Sequence, residues 1–438
     1  MTVTRTPAPT RPQSTPTDAA EALIREARRF QHRRWWGRGA LALILALLVL
    51  VALLFASHGR TPTTPRPRPF RPSSPPAAHV VIGPTLGTAT SYPLTSPSSL
   101  AVDGADNVYF ADQNRVFEVD HATDQIEVVA GTGSEGFSAD GGPGPQAALD
   151  GPDGVAVAPN GDVFFVDGND RIRRVSATTG IISTIAGRAS AGFGGNGGPA
   201  LRASLDLDYP GAIASGALSG PLAVGPDGDL YIADTANFEV RKVSAATGLI
   251  TDVAGTGRDG TSGDGGPATR AAICPPEGIT VDAASDIFIV TACDSIREVS
   301  AATGLISTVF RVHQIPAFRG DGTPSHPISL GLGPDGRILA VAVAGARILE
   351  VAPGTDRVIA VAGNGQETIR TAGATAGDGG PATRATFGEI GPVAVDGRGN
   401  LFVLDGWDLN IREVSARTGI ITLIAGQIPQ APDQGRCC

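Results

Sequence analysis

From residue 99 onward the chain is built of short runs in which apolar and polar residues alternate, each closed by a turn rich in Gly, Asp or Asn. Alternation of this kind predicts half-buried β-strands. The third unit shows the pattern most plainly. LAVGPDGDLYIADTANFEVRKVSAATGLITDVAGTG, from Leu222, holds the apolar runs LAV, LYIA, VRKV and LITDVAG, parted by turn chemistry at PDGD, DTAN and SAATG. Six units open in this way: LAVDGADN from Leu100, VAVAPNGD from Val155, LAVGPDGD from Leu222, ITVDAASD from Ile279, LGLGPDGR from Leu330 and VAVDGRGN from Val393. Their spacing of 51 to 67 residues fits four short strands and one variable loop. One four-stranded sheet cannot bury both faces, but six around an axis bury each sheet against its neighbours. The expected fold class is all-β, a six-bladed β-propeller. How the ring closes stays open, because HVVIGPTLG from His79 resembles a fourth strand that would compete with, or pair beside, ITLIAGQ at the other end.

A second pattern occupies Ala40 to Ser57, ALALILALLVLVALLFAS, 18 residues without a charge. As a helix this run is about 27 Å long, close to the hydrocarbon thickness of a bilayer, so one transmembrane helix is expected ahead of the propeller. A signal-peptide core is shorter, and no clear A-x-A site follows, which favours a retained anchor. Arg25, Arg28, Arg29, Arg33, Arg34 and Arg38 precede the run and Arg60, Arg66, Arg68 and Arg71 follow it, a bias that places the N-terminus inside. The expected organisation is then a cytoplasmic disordered segment and basic helix (1–39), the membrane helix (40–57), a Pro-rich stalk (58–78), the propeller (79–427) and a flexible tail (428–438). The expected location is the cell membrane, crossed once, with the N-terminus cytoplasmic and the propeller outside.

The string V-x-D-x-x-G-N-L-Y-V-A-D…N-x-R-I-R-K-V…T-G-x-I-x-T-V-A-G-x-G…G-D-G-G-P-A resembles the NHL repeat, and units one, two, three and six match most of it. The resemblance covers roughly residues 99 to 427, and the copies with GDGGPAT loops look like the bacterial, teneurin-type branch. It implies a six-bladed propeller of NHL type, a fold that hangs outside the membrane in some bacterial receptors.

Composition narrows the partners. The 58 Gly and 34 Pro suit a fold rich in turns. Residues 79–438 hold 22 of the 34 Lys+Arg and 40 of the 43 Asp+Glu, a balance of −18 that argues against nucleic acid. GTGSEG at Gly131 and GTGRDG at Gly255 lie after an outer strand, not at the start of a helix in a βαβ unit, so no dinucleotide cofactor is expected. Past the stalk the histidines are His79, His121, His313 and His326, without metal-ligand spacing. Asp103, Asp282 and Asp396 recur beside hairpin turns, where turn-making outweighs a channel Ca²⁺ site. No cofactor is therefore expected, with a channel Ca²⁺ or Zn²⁺ disfavoured.

Recurrent charges read as structural. An Asp closes the second strand at Asp112, Asp167, Asp234 and Asp405, and an Arg recurs in the third at Arg173, Arg241, Arg297 and Arg412. A catalytic pair is needed once and a brace repeatedly, so these are expected to pair structurally. The blade-junction loops carry Asp140, Asn196, Asp264, Asp321 and Asp378, expected to cap loop amides, with Phe137, Phe193 and Phe318 as plugs three residues earlier. Cys274 and Cys293 fall nearly opposite across a hairpin and are expected to form a disulfide. The long loops share one face with the turns between second and third strands, and Trp407 and Phe238 in those turns are candidate partner-binding residues. The expected activity is that of a binding or scaffold module for an extracellular protein, peptide or glycan. The alternative is a metal-dependent propeller enzyme, of lyase or lactonase type, with its site at the channel.

Overall fold

The second strand of a sheet is a near-continuous apolar run, as in VYFAD, LYIAD, IFIVT and LFVLD, and every residue of these four strands is buried. Sheets packed on both sides leave such a strand no solvent face, which is why its pattern does not alternate. Outer strands differ. In ITDVAG and ITLIAG the second residue is exposed and the next two are half-buried, because one side meets water.

The structure, a computed structural model, describes residues 83–427 except 169, 189, 208–219, 294, 312–326, 335, 337, 343–345, 352–357 and 367–375. The expected cytoplasmic segment, stalk and tail therefore lie outside the described residues, as do Asp321, Phe318, His313 and His326. Sheet one comprises β1 (Thr85–Thr88), β2 (Pro97–Val102), β3 (Val108–Asp112), β4 (Arg115–Asp120) and β5 (Gln125–Ala130), in the order β1-β5-β4-β3-β2. Sheet two comprises β6 (Asp153–Val157), β7 (Val163–Asp167), β8 (Arg171–Val175) and β9 (Ile182–Ala186), paired in sequence order. Sheets three to six repeat that four-stranded antiparallel order, opening at Leu222–Val224, Pro276–Val281, Pro327–Leu332 and Ile390–Val395. First strands neighbour one another in turn and the last neighbours the first, so the sheets close into a ring around a narrow channel.

Each apolar cluster is shared by two adjacent sheets. One joins Phe110 and Phe117 of sheet one to Phe402, Leu404 and Ile411 of sheet six, and another joins Tyr109 of sheet one to Phe165 of sheet two. Each fully buried side chain of this size contributes about 1.5–3 kcal/mol, so the interfaces between sheets hold the ring.

Junction loops with the G-G-P pattern fold back onto the outer strand of the following sheet. Pro143, Pro199, Pro267 and Pro381 bridge Ile181, Leu249, Leu305 and Ile420. In the third sheet Gly197 donates to the Ile250 carbonyl at 2.8 Å, and Ile250 donates to Gly198 at 3.0 Å. Gly197, at φ 75°, adopts the left-handed conformation this reversal needs. Proline suits the outermost position because it has no N–H left to expose at a sheet edge. A single 3₁₀ turn follows each proline, without any side-chain cap. The expected capping role of the loop Asp or Asn is thus replaced by another, described below.

β1 does the same for sheet one. It pairs with β5, and Ala89 at the start of the next 3₁₀ turn donates to Asp124 at 2.9 Å, as Ala200 donates to Gly248 in sheet three. Gln427 Nε2 then donates to the Ser91 carbonyl at 2.7 Å, tying the two ends of the ring. The expected fold class is corrected in its blade count. There are five four-stranded blades rather than six, because the edge of sheet one is covered by an added strand instead of a glycine loop. Among the described residues no helix is long and apolar enough to cross a membrane, and residues 40–57 lie outside them.

The disulfide joins Cys274 to Cys293, with Cα atoms 5.9 Å apart. It lies two residues beyond the Pro276–Thr291 end of the hairpin, just past the point where Ala292 donates to the Pro275 carbonyl at 3.0 Å. With a sequence separation of 19, closing this loop stabilises the fold by about 3 kcal/mol. Cys274→Ser/Cys293→Ser should therefore lower the unfolding free energy from urea denaturation by an amount near that figure, and an unchanged value would show the crosslink to be idle.

Candidate partner-binding face

The long-loop face is assembled by two recurring devices. The first uses the Asp that ends the second strand of sheets one, two, three and six. Asp112 accepts from the Thr95 and Ser96 amides at 3.1 and 2.7 Å, Asp167 from Asp150 at 2.8 Å, Asp234 from Asp206 at 2.8 Å, and Asp405 from Gly388 and Glu389 at 3.0 and 3.1 Å. All four carboxylates thus hold the backbone of the incoming junction loop. Thr95, Asp150 and Gly388 lie five residues before Leu100, Val155 and Val393, where the repeats open, and the same place before Ile279 is held by Cys274. Sheet four has Thr291 where sheets one, two, three and six have Asp, and there the Cys274–Cys293 disulfide ties the incoming loop to the end of the second strand.

The second device is a buried guanidinium. Arg173 reaches Asp140 at 3.2 Å and Arg297 reaches Asp264 at 2.7 Å, while Arg241 donates to Asn196 at 2.7 Å and Arg412 to Asp378 at 3.3 Å. Each also donates to the carbonyl two residues ahead of that loop side chain: Ser138, Gly194, Ser262 and Ala376. These four side chains are at most 2% exposed. Every arginine sits where the register between third and fourth strands slips by one residue, and the same slip occurs at Phe117 and Leu349 in sheets one and five. The bulge turns the outer strand away and opens room beneath the loop. Sheet one, whose edge is covered by β1, fills that room with Phe117, stacked on Phe110 at 5.4 Å.

Asp–Arg pairing itself is narrower than the sequence pattern suggests. Asp167 meets Arg173 at 2.8 Å and Asp234 meets Arg241 at 3.3 Å, in each case within one sheet. In sheet six the bonds to Asp405 come from amides, while Arg412 turns to Asp378 and lies 5.0 Å from the Phe387 ring.

Aromatic side chains stand out on this face. Phe137, Phe193 and Trp407 are 48%, 60% and 44% exposed, so the two phenylalanines are not plugs. Phe137 lies over Arg171 at 4.0 Å and Arg173 at 4.8 Å, a cation–π lid on the second guanidinium. Phe238 is half-buried at φ 54°. Trp407 and Phe238 occupy corresponding turns of sheets six and three, three places apart round the ring, so the structure does not bring them together.

The channel walls come from the first strands, including Leu100, Val155, Leu222, Ile279 and Leu330, around a space of about 230 Å³. Asp103, Asp282 and Asp396 turn away into their hairpins, accepting the amides of Asn107, Asp286 and Asn400 at 2.8–2.9 Å. Among the described residues, three metal-ligating atoms lie within 4.8 Å of one another at Asp259, Cys274 and Cys293, and both thiols there are spent in the disulfide.

Two buried acids had no signature in the sequence pattern. Burial raises the Glu118 carboxyl to about 8, against a hydrogen bond from Tyr109 that lowers it. Burial likewise raises Glu239 to about 8, helped by the adjacent Asp252 carboxylate. Asp234 and Asp405 rise to about 6 for the same first cause, offset by the amides they hold.

Residues 114–194 match the Teneurin NHL domain family, which supports a propeller of NHL type. No curated protein sequence matches the chain at a significant level. Among solved structures, a streptogramin B lyase is 15% identical over 79% of this chain and 87% of its own, with a TM-score of 0.43. A Bacteroides thetaiotaomicron protein of unknown function is 14% identical over 76% and 72%, with a TM-score of 0.47. A gluconolactonase from Xanthomonas campestris is 12% identical over 76% and 87%, with a TM-score of 0.43. At such identities their activities do not pass to this chain.

All four raised carboxyls push stability the same way. Each binds its proton more tightly when folded, so its contribution is complete below the unfolded pKa, near 4, and is lost as pH rises through the folded value. The urea midpoint should fall between pH 5 and pH 8.5, and Glu118→Gln/Glu239→Gln should flatten that fall. A midpoint that rises over this range would contradict the assignment.

Proposed function

We propose that the chain is a binding or scaffold module attached to a membrane through the apolar run at 40–57, displaying its propeller outside the cell. The partner is a protein, peptide or glycan taken by the long-loop face. One observation supports this above the rest: the long loops are anchored from beneath by buried guanidinium groups and strand-end carboxylates, while Phe137, Phe193 and Trp407 remain outward. A rigid platform carrying exposed aromatics is suited to recognition, because little ordering entropy is left to lose on binding.

The alternative, a metal-dependent lyase or lactonase with its site in the channel, has weaker support. The described first-strand residues lining the channel present apolar side chains, hydroxyls and backbone, with no carboxylate or imidazole among them.

Full-length protein screened against peptide and glycan arrays should yield ligands whose binding falls at least ten-fold on Trp407→Ala or Phe193→Ala. Asn160→Ala, in a short turn of the opposite face, should leave binding unchanged. Sensitivity confined to Asn160 would sink the assignment, as would protection of the propeller from protease added to intact, sealed cells.

A further inference from the structure

In sheets two, four and six the loop side chain over the buried guanidinium is itself a carboxylate, at Asp140, Asp264 and Asp378. Sheet three departs from this. Its loop offers the amide of Asn196, and the carboxylates come from the strands: Asp234 ends the second, Glu239 opens the third, and Asp252 stands in the fourth opposite Arg241. The place of Glu239 is held by Arg171, Ser295 and Asn410 in sheets two, four and six, and that of Asp252 by Thr184, Thr308 and Leu423. An acid pair that only one of the four arginine-bearing sheets carries is not required to brace an arginine.

Glu239 is 3% exposed, and its Oε2 and the Oδ1 of Asp252 are both buried without a hydrogen-bond donor among the described residues. Arg241 Nε stands 3.6 Å from that Oδ1, too far to supply one. The two carboxyl groups instead hydrogen-bond to one another, so a single shared proton provides the donor that the pair otherwise lacks. Asn196 joins the pair to the arginine. Its Nδ2 donates to Asp252 Oδ2, and its Oδ1 accepts from Arg241 Nη2 at 2.7 Å. The charged groups that act on Glu239 are Asp252 of the fourth strand, Arg241 of the third and Asp234 of the second, while the loop side chain is uncharged.

We propose that the proton shared by Glu239 and Asp252 latches the junction loop of sheet three, and that its loss frees the loop from Asp252 and weakens partner binding at Phe193. The effect on binding rests on the reading of the long-loop face as a binding surface. Without the proton, two adjacent carboxylates compete for one guanidinium that already faces Asp234 at 3.3 Å. Glu239 has no way out to water, whereas the Asp252 side chain is 29% exposed, so Asp252 is the one that turns outward. Asn196 Nδ2 then loses its acceptor. That residue stands three places after Phe193, which is 60% exposed, and directly before Gly197, whose amide pairs the loop with Ile250 at 2.8 Å. Burial, with Asp252 adding to it, raises Glu239 to about 8. A raised carboxyl keeps its proton in the folded state, so the latch is complete at lower pH and is lost as pH rises through that value.

Amide hydrogen exchange on the full-length protein at pH 6.5 and pH 9, corrected for the intrinsic rate at each pH, tests this. Protection of the loop amides at Gly197 and Ser204, which bond to Ile250 and Gly194, should fall at least ten-fold at the higher pH. Gly265 in sheet four makes the matching bond to Ile306 over an arginine with no such acid pair, and its protection should stay level. Glu239→Gln, whose amide supplies a permanent N–H toward Asp252, should abolish the fall. A wild-type loop equally protected at both values, a parallel fall at Gly265, or a fall that persists in Glu239→Gln would overturn the proposal. An array ligand lost on Phe193→Ala should bind several-fold more weakly at pH 9 to the wild type and equally at both values to Glu239→Gln. If exchange behaved as stated and no ligand depended on Phe193, the latch would stand and the binding face would fall; Phe193-dependent ligands without the exchange change would give the reverse.

Discussion

A guanidinium taken out of water is costly, and four of them lie under the junction loops of this ring with at most 2% of the side chain exposed. The charge is tolerable only while a loop carboxylate or amide and a loop carbonyl stay in place above it. Loop and blade are thereby coupled, because a loop that lifted away would strip Arg297 and Arg412 of the loop carboxylate and Arg173 and Arg241 of the loop groups that add to Asp167 and Asp234. The strand-end carboxylates, or the disulfide in sheet four, hold the same loops further along by their backbone. Edge pairing through the G-G-P segments completes the arrangement by covering outer strands that would otherwise present open hydrogen-bonding groups.

These couplings explain an irregularity that the repeat pattern leaves unaccounted for. Arginine occurs in the third strand of the sheets preceded by ADGG, GNGG or GDGG loops, at Arg173, Arg241, Arg297 and Arg412. Sheet one, with β1 in place of such a loop, and sheet five, preceded by GDGT, have Phe117 and Leu349 instead. Without the full loop there is no reason to bury a charge, and an apolar side chain fills the space over the bulge.

The strands were legible in the chain because their periodicity is a direct image of burial, and the disulfide because a hairpin places Cys274 and Cys293 at matching distances from its turn. The role of Asp112 and Asp405 was not, since their donors are backbone amides, and every residue but proline carries one. β1 was legible as a strand but not as a partner, because TLGTATS shares little with GDGGPATR beyond a glycine, an alanine and a threonine. Ser99 gave no signal either. Its left-handed backbone, at φ 51°, lies inside the register slip between Ser98 and Ala101, which only the pairing of β2 with β3 reveals. Sequence therefore located the face that carries the long loops, whereas the way each loop is held from beneath depended on tertiary placement.

The coupling between buried charge and loop is best tested in sheet four, where Arg297 has Asp264 as its carboxylate partner and a threonine stands at the strand-end position. A double-mutant cycle by urea denaturation gives it directly. Asp264→Ala should cost about 1–2 kcal/mol, because it takes the carboxylate from a buried guanidinium although the carboxylate itself is 44% exposed. Adding Arg297→Leu, the residue that sheet five already uses, should return much of that loss. Additive losses, with the double variant no more stable than the sum of the single ones predicts, would show that the arginine does not hold the loop and would remove the physical basis of the face.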